Sequence, residues 1–130
     1  MGYRSQVVIG FKKKDFWEHV GEDIKNFKDC DLIQQTDENV IFIWEDVKWY
    51  DTYEDVKSVM RVFNKVIEKE DCSENAGFLR KGEDDGDIEN QGAPYEFEIY
   101  TVTSVNAGDG DDIEHDKFFA PNSVKFIREE

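Results

Sequence analysis

The chain has 130 residues, 38% of them hydrophobic, with ten Phe, five Tyr and three Trp; this suits one hydrophobic core in one domain and is too short for two. Thirty-one acids against sixteen bases leave a formal charge of −15, unevenly spread: residues 1–69 carry 14 acids and 11 bases, residues 70–130 carry 17 and 5. Such a surface repels phosphate backbones and anionic headgroups, which disfavours direct nucleic-acid or membrane binding, and no apolar run reaches the roughly 18 residues of a spanning helix.

The opening segment alternates in polarity and places its basic cluster, Lys12 to Lys14, after the apolar stretch instead of before it. That is not a signal-peptide pattern, and a cytoplasmic protein is the expectation. Tyr3, Ser5, Val7, Ile9 and Phe11 share one side of an extended chain and predict a first strand. Asp15, with Glu18 three residues on, predicts the N-cap of a helix whose inner face is Phe16, Trp17, Val20, Ile24 and Phe27, weakened at Gly21. Residues 31–36 and 39–48 read as a hairpin around the turn "TDEN". Next comes a helix with the apolar stripe Val56, Val59, Met60, Phe63, Val66 and Ile67, capped by Asp51 or Thr52.

Residues 76–82, "AGFLRKG", supply a short strand after that helix. The order strand, helix, strand, strand, helix, strand predicts an α+β fold: an antiparallel sheet with two helices on one face, ferredoxin-like (split βαβ). Residues 94–105 alternate strongly and predict a further strand, pairing with that of Phe78 across an acidic loop. The tail brings Phe118, Phe119, Val124, Phe126 and Ile127 as an edge strand or cover. One domain over 1–130 is expected, with a ferredoxin-like core at 1–82 and an acidic loop, strand and C-terminal cover at 83–130.

Two stretches hold the charge. "GEDDGDIEN" contributes Glu83, Asp84, Asp85, Asp87 and Glu89; "GDGDDIEHD" contributes Asp109, Asp111, Asp112, Glu114 and Asp116. If they bracket one strand over 94–105, they leave from opposite ends of it, roughly 35 Å apart at ~3.3 Å per residue. Neither stretch fits the register of an EF-hand: counted from Asp84 the third position is Gly86 and the fifth Ile88, and counted from Asp109 the fifth is Ile113. No metal and no cofactor is expected.

Catalytic residues are not expected either. His19 and His115 have no evident Ser or Cys partner, and Cys30 and Cys72 make no CxxC and lie between acids that disfavour a thiolate. Free thiols are the expectation. Trp49, Tyr50 and Tyr53, beside Trp44, either pack into the core or offer aromatic anchors to a protein partner.

"GYRS" at the start, "WEDVKWYDTYEDVKSVM" in the middle and "GFLRKGEDDGDIE" after the second helix together resemble a group of small proteins encoded by bacteriophages and prophages. The residues that carry the resemblance are Gly2, Tyr3, Arg4, Ser5, Trp49, Tyr50, Phe78, Arg80, Gly82, Glu83 and Asp84. The resemblance brings no activity with it; it implies an accessory phage protein acting in a bacterial cytoplasm.

The leading expectation is a non-enzymatic acidic protein that binds, and thereby inhibits, the basic surface of a host nucleic-acid-binding or defence protein, its carboxylates standing where phosphates would. That reading takes the carboxylates of both stretches, with Trp49, Tyr50 and Tyr53, as the binding residues, and takes those carboxylates to have no bonds within the chain. A metal-dependent enzyme or ligand-binding domain built on loop carboxylates, a virion or assembly component, and a merely solvated acidic surface are the alternatives.

Overall fold

The computed structural model describes residues 3–68, 73–84, 86–101, 105–107 and 110–119. Its centre is strand β1 (Ser5–Lys12), buried on both faces because Val7, Ile9 and Phe11 point to one side and Val8 to the other. The hairpin of β2 (Leu32–Gln35) and β3 (Asn39–Val47) forms where the alternation predicts it. Thr36 closes its turn by accepting the Asn39 N–H at 3.0 Å. Strands β4 (Ala76–Gly82) and β5 (Ile88–Gly92) follow, and the short β8 (Asp111–Asp112) completes a six-stranded antiparallel sheet in the order β5-β4-β1-β3-β2-β8. Two short strands, β6 (Ile99–Thr101) and β7 (Val105–Ala107), pair separately.

Three helical pieces lie on one face of the sheet: α1 (Lys13–His19), α2 (Ile24–Phe27) and α3 (Glu54–Ile67). Phe16 and Trp17 of α1, Phe27 of α2 and Val59, Val62, Phe63 and Val66 of α3 share one buried cluster with the strand residues Val7, Ile9, Phe11, Phe42 and Phe78. Its centre is aromatic: Phe16, Phe27 and Phe42 stand 4.9–5.0 Å apart, centroid to centroid. Full burial of each ring contributes about 1.5–3 kcal/mol.

The helix predicted from Asp15 to Lys28 is broken. Gly21 takes φ +49, a left-handed conformation that a side chain disfavours, so the chain leaves α1, makes one 3-10 turn over Gly21–Asp23 and restarts as α2. Asp15 lies inside the first turn of α1, and the N-cap is Lys12, without a side-chain cap. Neither Asp51 nor Thr52 caps α3. A tight turn in which the Tyr53 N–H reaches the Tyr50 carbonyl at 3.0 Å delays the helix to Glu54, with Tyr53 at the cap.

The predicted strand over 94–105 is likewise not one strand. Pro94–Phe97 forms a 3-10 turn, Glu98 adopts φ 55, and only from Ile99 does the chain extend. The place beside β4 is already taken by β5, so this segment crosses to the second face of the sheet. There Phe97 and Ile99 cover Val8, Ile41, Ile43 and Leu79. Gly10 and Gly77, paired across β1 and β4, form the seat: a Cβ on Gly10 would lie 2.7 Å from the Phe97 ring, and one on Gly77 would strike the backbone of Pro94. The alternation is genuine, but Phe97 satisfies it from the 3-10 turn and Ile99 from the first residue of β6.

After β8 the Ile113 N–H reaches the Ile33 carbonyl at 2.9 Å, and a helical turn over 115–119 drops Phe118 and Phe119 into the helix-side core, where Phe118 stacks on Trp17 at 5.3 Å. The expected cover is therefore seated at these two residues. Val124, Phe126 and Ile127 lie outside the described residues.

Candidate functional site

The acidic stretch 82–90 is a hairpin, not a long loop. The Gly82 N–H bonds the Asp87 carbonyl at 2.8 Å and the Asp87 N–H bonds the Asp84 carbonyl at 3.0 Å, so the chain reverses tightly into β5. This places Glu83 and Asp84, both exposed, at one end of the sheet. At the same end β3 carries a bulge opposite Ser5 to Val7, which turns Glu45 and Asp46 outward. Asp31 joins them by accepting the Glu45 N–H at 2.7 Å.

Several of these carboxylates have partners within the chain, contrary to the expectation. Asp87 is half-buried and accepts two bonds from Arg80, Nη2 to Oδ1 at 2.7 Å and Nη1 to Oδ2 at 3.3 Å, and one from the Tyr3 hydroxyl at 2.7 Å. Arg80 also donates to Glu89 Oε1 at 3.1 Å and to the buried Ser5 hydroxyl at 2.9 Å. The Arg4 N–H meets Glu83 Oε2 at 2.6 Å. A fork of donors facing two acids is the arrangement that a guanidinium favours.

The electrostatics follow from these bonds. The Arg80 guanidinium, then the Tyr3 hydroxyl, hold the Asp87 carboxyl below its usual range, and Asp87 in turn raises Arg80. For the Tyr3 phenol the Asp84 N–H acts downward, but the bond to Asp87, partial burial and the two nearby carboxylates leave it raised.

Tyr3 ties the end of the sheet together. Its N–H donates to the Tyr50 hydroxyl at 2.6 Å, its own hydroxyl accepts from the Asp84 N–H at 3.0 Å, and a side chain at Gly82 would collide with its ring. Tyr3, Arg4, Ser5, Tyr50, Arg80, Gly82, Glu83 and Asp84, which in the sequence fall into three separate motifs, thus occupy one cluster. Phe78 and Trp49 support it from the core, 6.1 Å apart. Gly2 lies outside the described residues.

An open cleft of about 430 Å³ adjoins this cluster, with Trp49, Tyr50 and Asp51 on one side and Arg80, Asp87 and Glu89 on the other. Tyr53 is 40% exposed and meets Tyr50 edge-on at 5.1 Å. The aromatic candidates and the first acidic stretch are therefore neighbours.

The second stretch is not. Asp111 and Asp112 sit on β8, paired with Gln35 and Gln34, with exposed Glu114 and Asp116 beyond them. Strands β5 and β8 are opposite edges of the sheet, five strand spacings or roughly 24 Å apart. The two stretches form two surfaces. Asp85 and Asp109 lie outside the described residues.

Sequence reasoning missed Asp31, Glu45, Asp46 and Asp51 as members of the acidic end. Asp31 directly precedes β2 and Asp51 follows β3, whereas Glu45 and Asp46 lie within the last residues of β3, where the bulge that exposes them depends on pairing with β1. It also missed a pairing of cysteine with histidine. His115 Nε2 lies 2.7 Å from the Cys30 carbonyl and 3.4 Å from its sulfur. This is no activated nucleophile: Cys30 is 5% exposed, and burial, with Asp31 next, pushes its thiol up to about 12. Cys72 lies outside the described residues.

Among the described residues no group of three or more His, Cys, Asp or Glu side chains is placed to hold a metal ion, and no helix is long and apolar enough to cross a membrane. Comparison of the chain with protein-family models, with curated proteins and with solved structures gives no match.

Proposed function

We propose that the chain is a non-enzymatic acidic protein that binds, and by binding inhibits, the basic nucleic-acid-binding surface of another protein. The observation that carries this reading is the acidic end of the sheet: Glu83 and Asp84 at the β4–β5 turn and Glu45 and Asp46 on the β3 bulge are all exposed and flank the N-terminus of β1. Carboxylates displayed from the two strands that flank β1 on a rigid sheet occupy cationic sites meant for phosphates, and a net charge of −15 steers association with a positive partner. The aromatic ledge of Tyr50 and Tyr53 beside them supplies apolar contact. Asp87 and Glu89 serve on this reading as braces, through Arg80, and the β8 acids as a separate, weaker surface.

On this reading, which the resemblance to small phage and prophage proteins supports, the target is a host defence or DNA-processing protein in a bacterial cytoplasm. We further read β4-β1-β3-β2 as a split βαβ, ferredoxin-like core, because each pair is antiparallel and helical segments join β1 to β2 and β3 to β4 on one face.

The test is affinity capture from a bacterial lysate with the intact chain and with Glu45→Gln, Asp46→Asn, Glu83→Gln and Asp84→Asn combined. Asp87 is left intact so that the fold is not disturbed. The intact chain is expected to retain nucleic-acid-binding proteins that duplex DNA and salt both displace, and the variant to lose them. Retention of the same proteins by the variant refutes the proposal.

A further inference from the structure

The two edges of the sheet are finished differently. At one, β8 is two residues long and both are aspartates, Asp111 and Asp112; shortness and charge are what keep an edge from taking another strand. At the other, β5 runs for five residues with no lysine, no proline and a single charge, Glu89, which Arg80 holds at 3.1 Å. The Gly82 N–H bonds the Asp87 carbonyl and the Ala93 N–H bonds the Ala76 carbonyl. By the two-residue alternation of an antiparallel ladder, Glu89 and Gln91 therefore exchange bonds with β4, and Ile88 and Asn90 point theirs away. The Ile88 N–H turns back to the Gly86 carbonyl at 3.1 Å. This leaves the Asn90 N–H and the carbonyls of Ile88 and Asn90 on the rim, and no other described residue meets them.

Charge decides what fits this edge. Exposed Glu83 and Asp84 stand at the start of β5; at its end stand Glu74, in the 3-10 turn Ser73–Asn75 beside the strand, and Glu96, in the turn that follows. The bases of the adjoining strand are engaged, Arg80 by Asp87 and Glu89, and Lys81 by the Gly82 carbonyl at 3.4 Å. A second copy of the chain, laid along β5 in either direction, brings acid against acid. A segment with lysine or arginine at both ends and about five extended residues between, roughly 17 Å, meets a carboxylate at each end and the rim in the middle. Ile88, 47% exposed, and Tyr95, 68% exposed, offer its side chains apolar contact. We propose that β5 takes such a basic segment of the partner protein as an added strand, its main chain bonded to Ile88 and Asn90 and its terminal cations to Glu83 or Asp84 and to Glu74 or Glu96. The proposal rests on the reading of the chain as a binder of basic proteins and adds how the partner is held.

The probe is the peptide Ac-Lys-Arg-Thr-Val-Thr-Val-Thr-Lys-Arg-NH2, titrated into the full chain and followed by amide NMR. The Asn90 N–H resonance is expected to move saturably, and at about ten times Kd its exchange with solvent is expected to slow roughly tenfold, while Gln91, bonded to β4, keeps its protection. The same peptide N-methylated at its five central residues keeps every charge and side chain but cannot donate there, and a peptide with glutamate in place of each base keeps the backbone without the charge. Neither is expected to move Asn90. Asn90→Pro removes an N–H that the fold does not use, and should weaken the probe roughly tenfold with the Tyr3 and Asp84 amide resonances unchanged. Lysate capture with the intact chain and with Asn90→Pro separates this inference from the proposed function. Basic proteins retained equally by both overturn the added strand and leave the function standing; capture of none by the intact chain refutes the function and with it the partner assigned here. No saturable shift of Asn90, an equal response to the methylated or the glutamate peptide, or a dimer of the intact chain that Asn90→Pro dissolves likewise overturns the proposal.

Discussion

Arg80 is the residue on which the acidic end of the sheet turns. Its guanidinium, 15% exposed, bonds Asp87, Glu89 and Ser5 together, so charges brought close by the hairpin become partners. Because Asp87 is held below its usual range in the fold, its contribution to stability is fully present above the unfolded value of about 3.9 and is lost as pH falls through the lower, folded value. Acid titration of unfolding by urea is therefore expected to show a smaller loss below pH ~4 in Asp87→Asn than in the parent chain. An identical acid limb in the two proteins would mean that the bonds to Arg80 and Tyr3 contribute nothing to the fold. The same bonds explain why the acids of "GEDDGDIEN" are not interchangeable: Asp84 is exposed, Glu83 is exposed but accepts the Arg4 N–H, and Asp87 is structural.

At the scale of elements, strands obeyed their alternation only where a neighbour was available to receive them. Residues 39–47 lie between β1 and β2 and form the strand that Val40 to Trp44 predict. Residues 94–101, no less regular, found the edge of β4 occupied by β5 and folded across the other face, seated on Gly10 and Gly77. Gly77→Ala is expected to lift the Pro94–Phe97 turn and destabilise the protein by about 1–3 kcal/mol, measured by urea unfolding. A near-zero change would show that the turn is not pressed against β4. The acidic hairpin follows from the same competition, since pairing with β4 turns Ile88 to Gly92 into a strand although little in its composition favours one.

For the whole molecule, the distribution of charge matters more than its sum. The two acidic stretches occupy opposite edges of one sheet, roughly 24 Å apart. Self-repulsion among 31 acids and 16 bases still acts on the fold as a whole. Raising ionic strength shortens the Debye length from about 30 Å at 0.01 M to about 8 Å at 0.15 M. The thermal midpoint is accordingly expected to rise with sodium chloride over that range. A falling midpoint would show that short pairs such as Arg80 with Asp87 outweigh the collective repulsion.

The sequence by itself determined the α+β class, the apolar faces of β1, β3 and α3, the β2–β3 hairpin and the excess of negative charge. Each is a matter of local periodicity or of counting, and needs no knowledge of what lies across the fold. Only the tertiary structure decided that Tyr3, Tyr50, Arg80 and Asp87 meet, that Glu45 and Asp46 join Glu83 and Asp84, and that Asp111 and Asp112 stand apart. Those relations depend on strand order, register and a bulge, which arise from competition among all the strands for neighbours and leave no mark on any single stretch of chain.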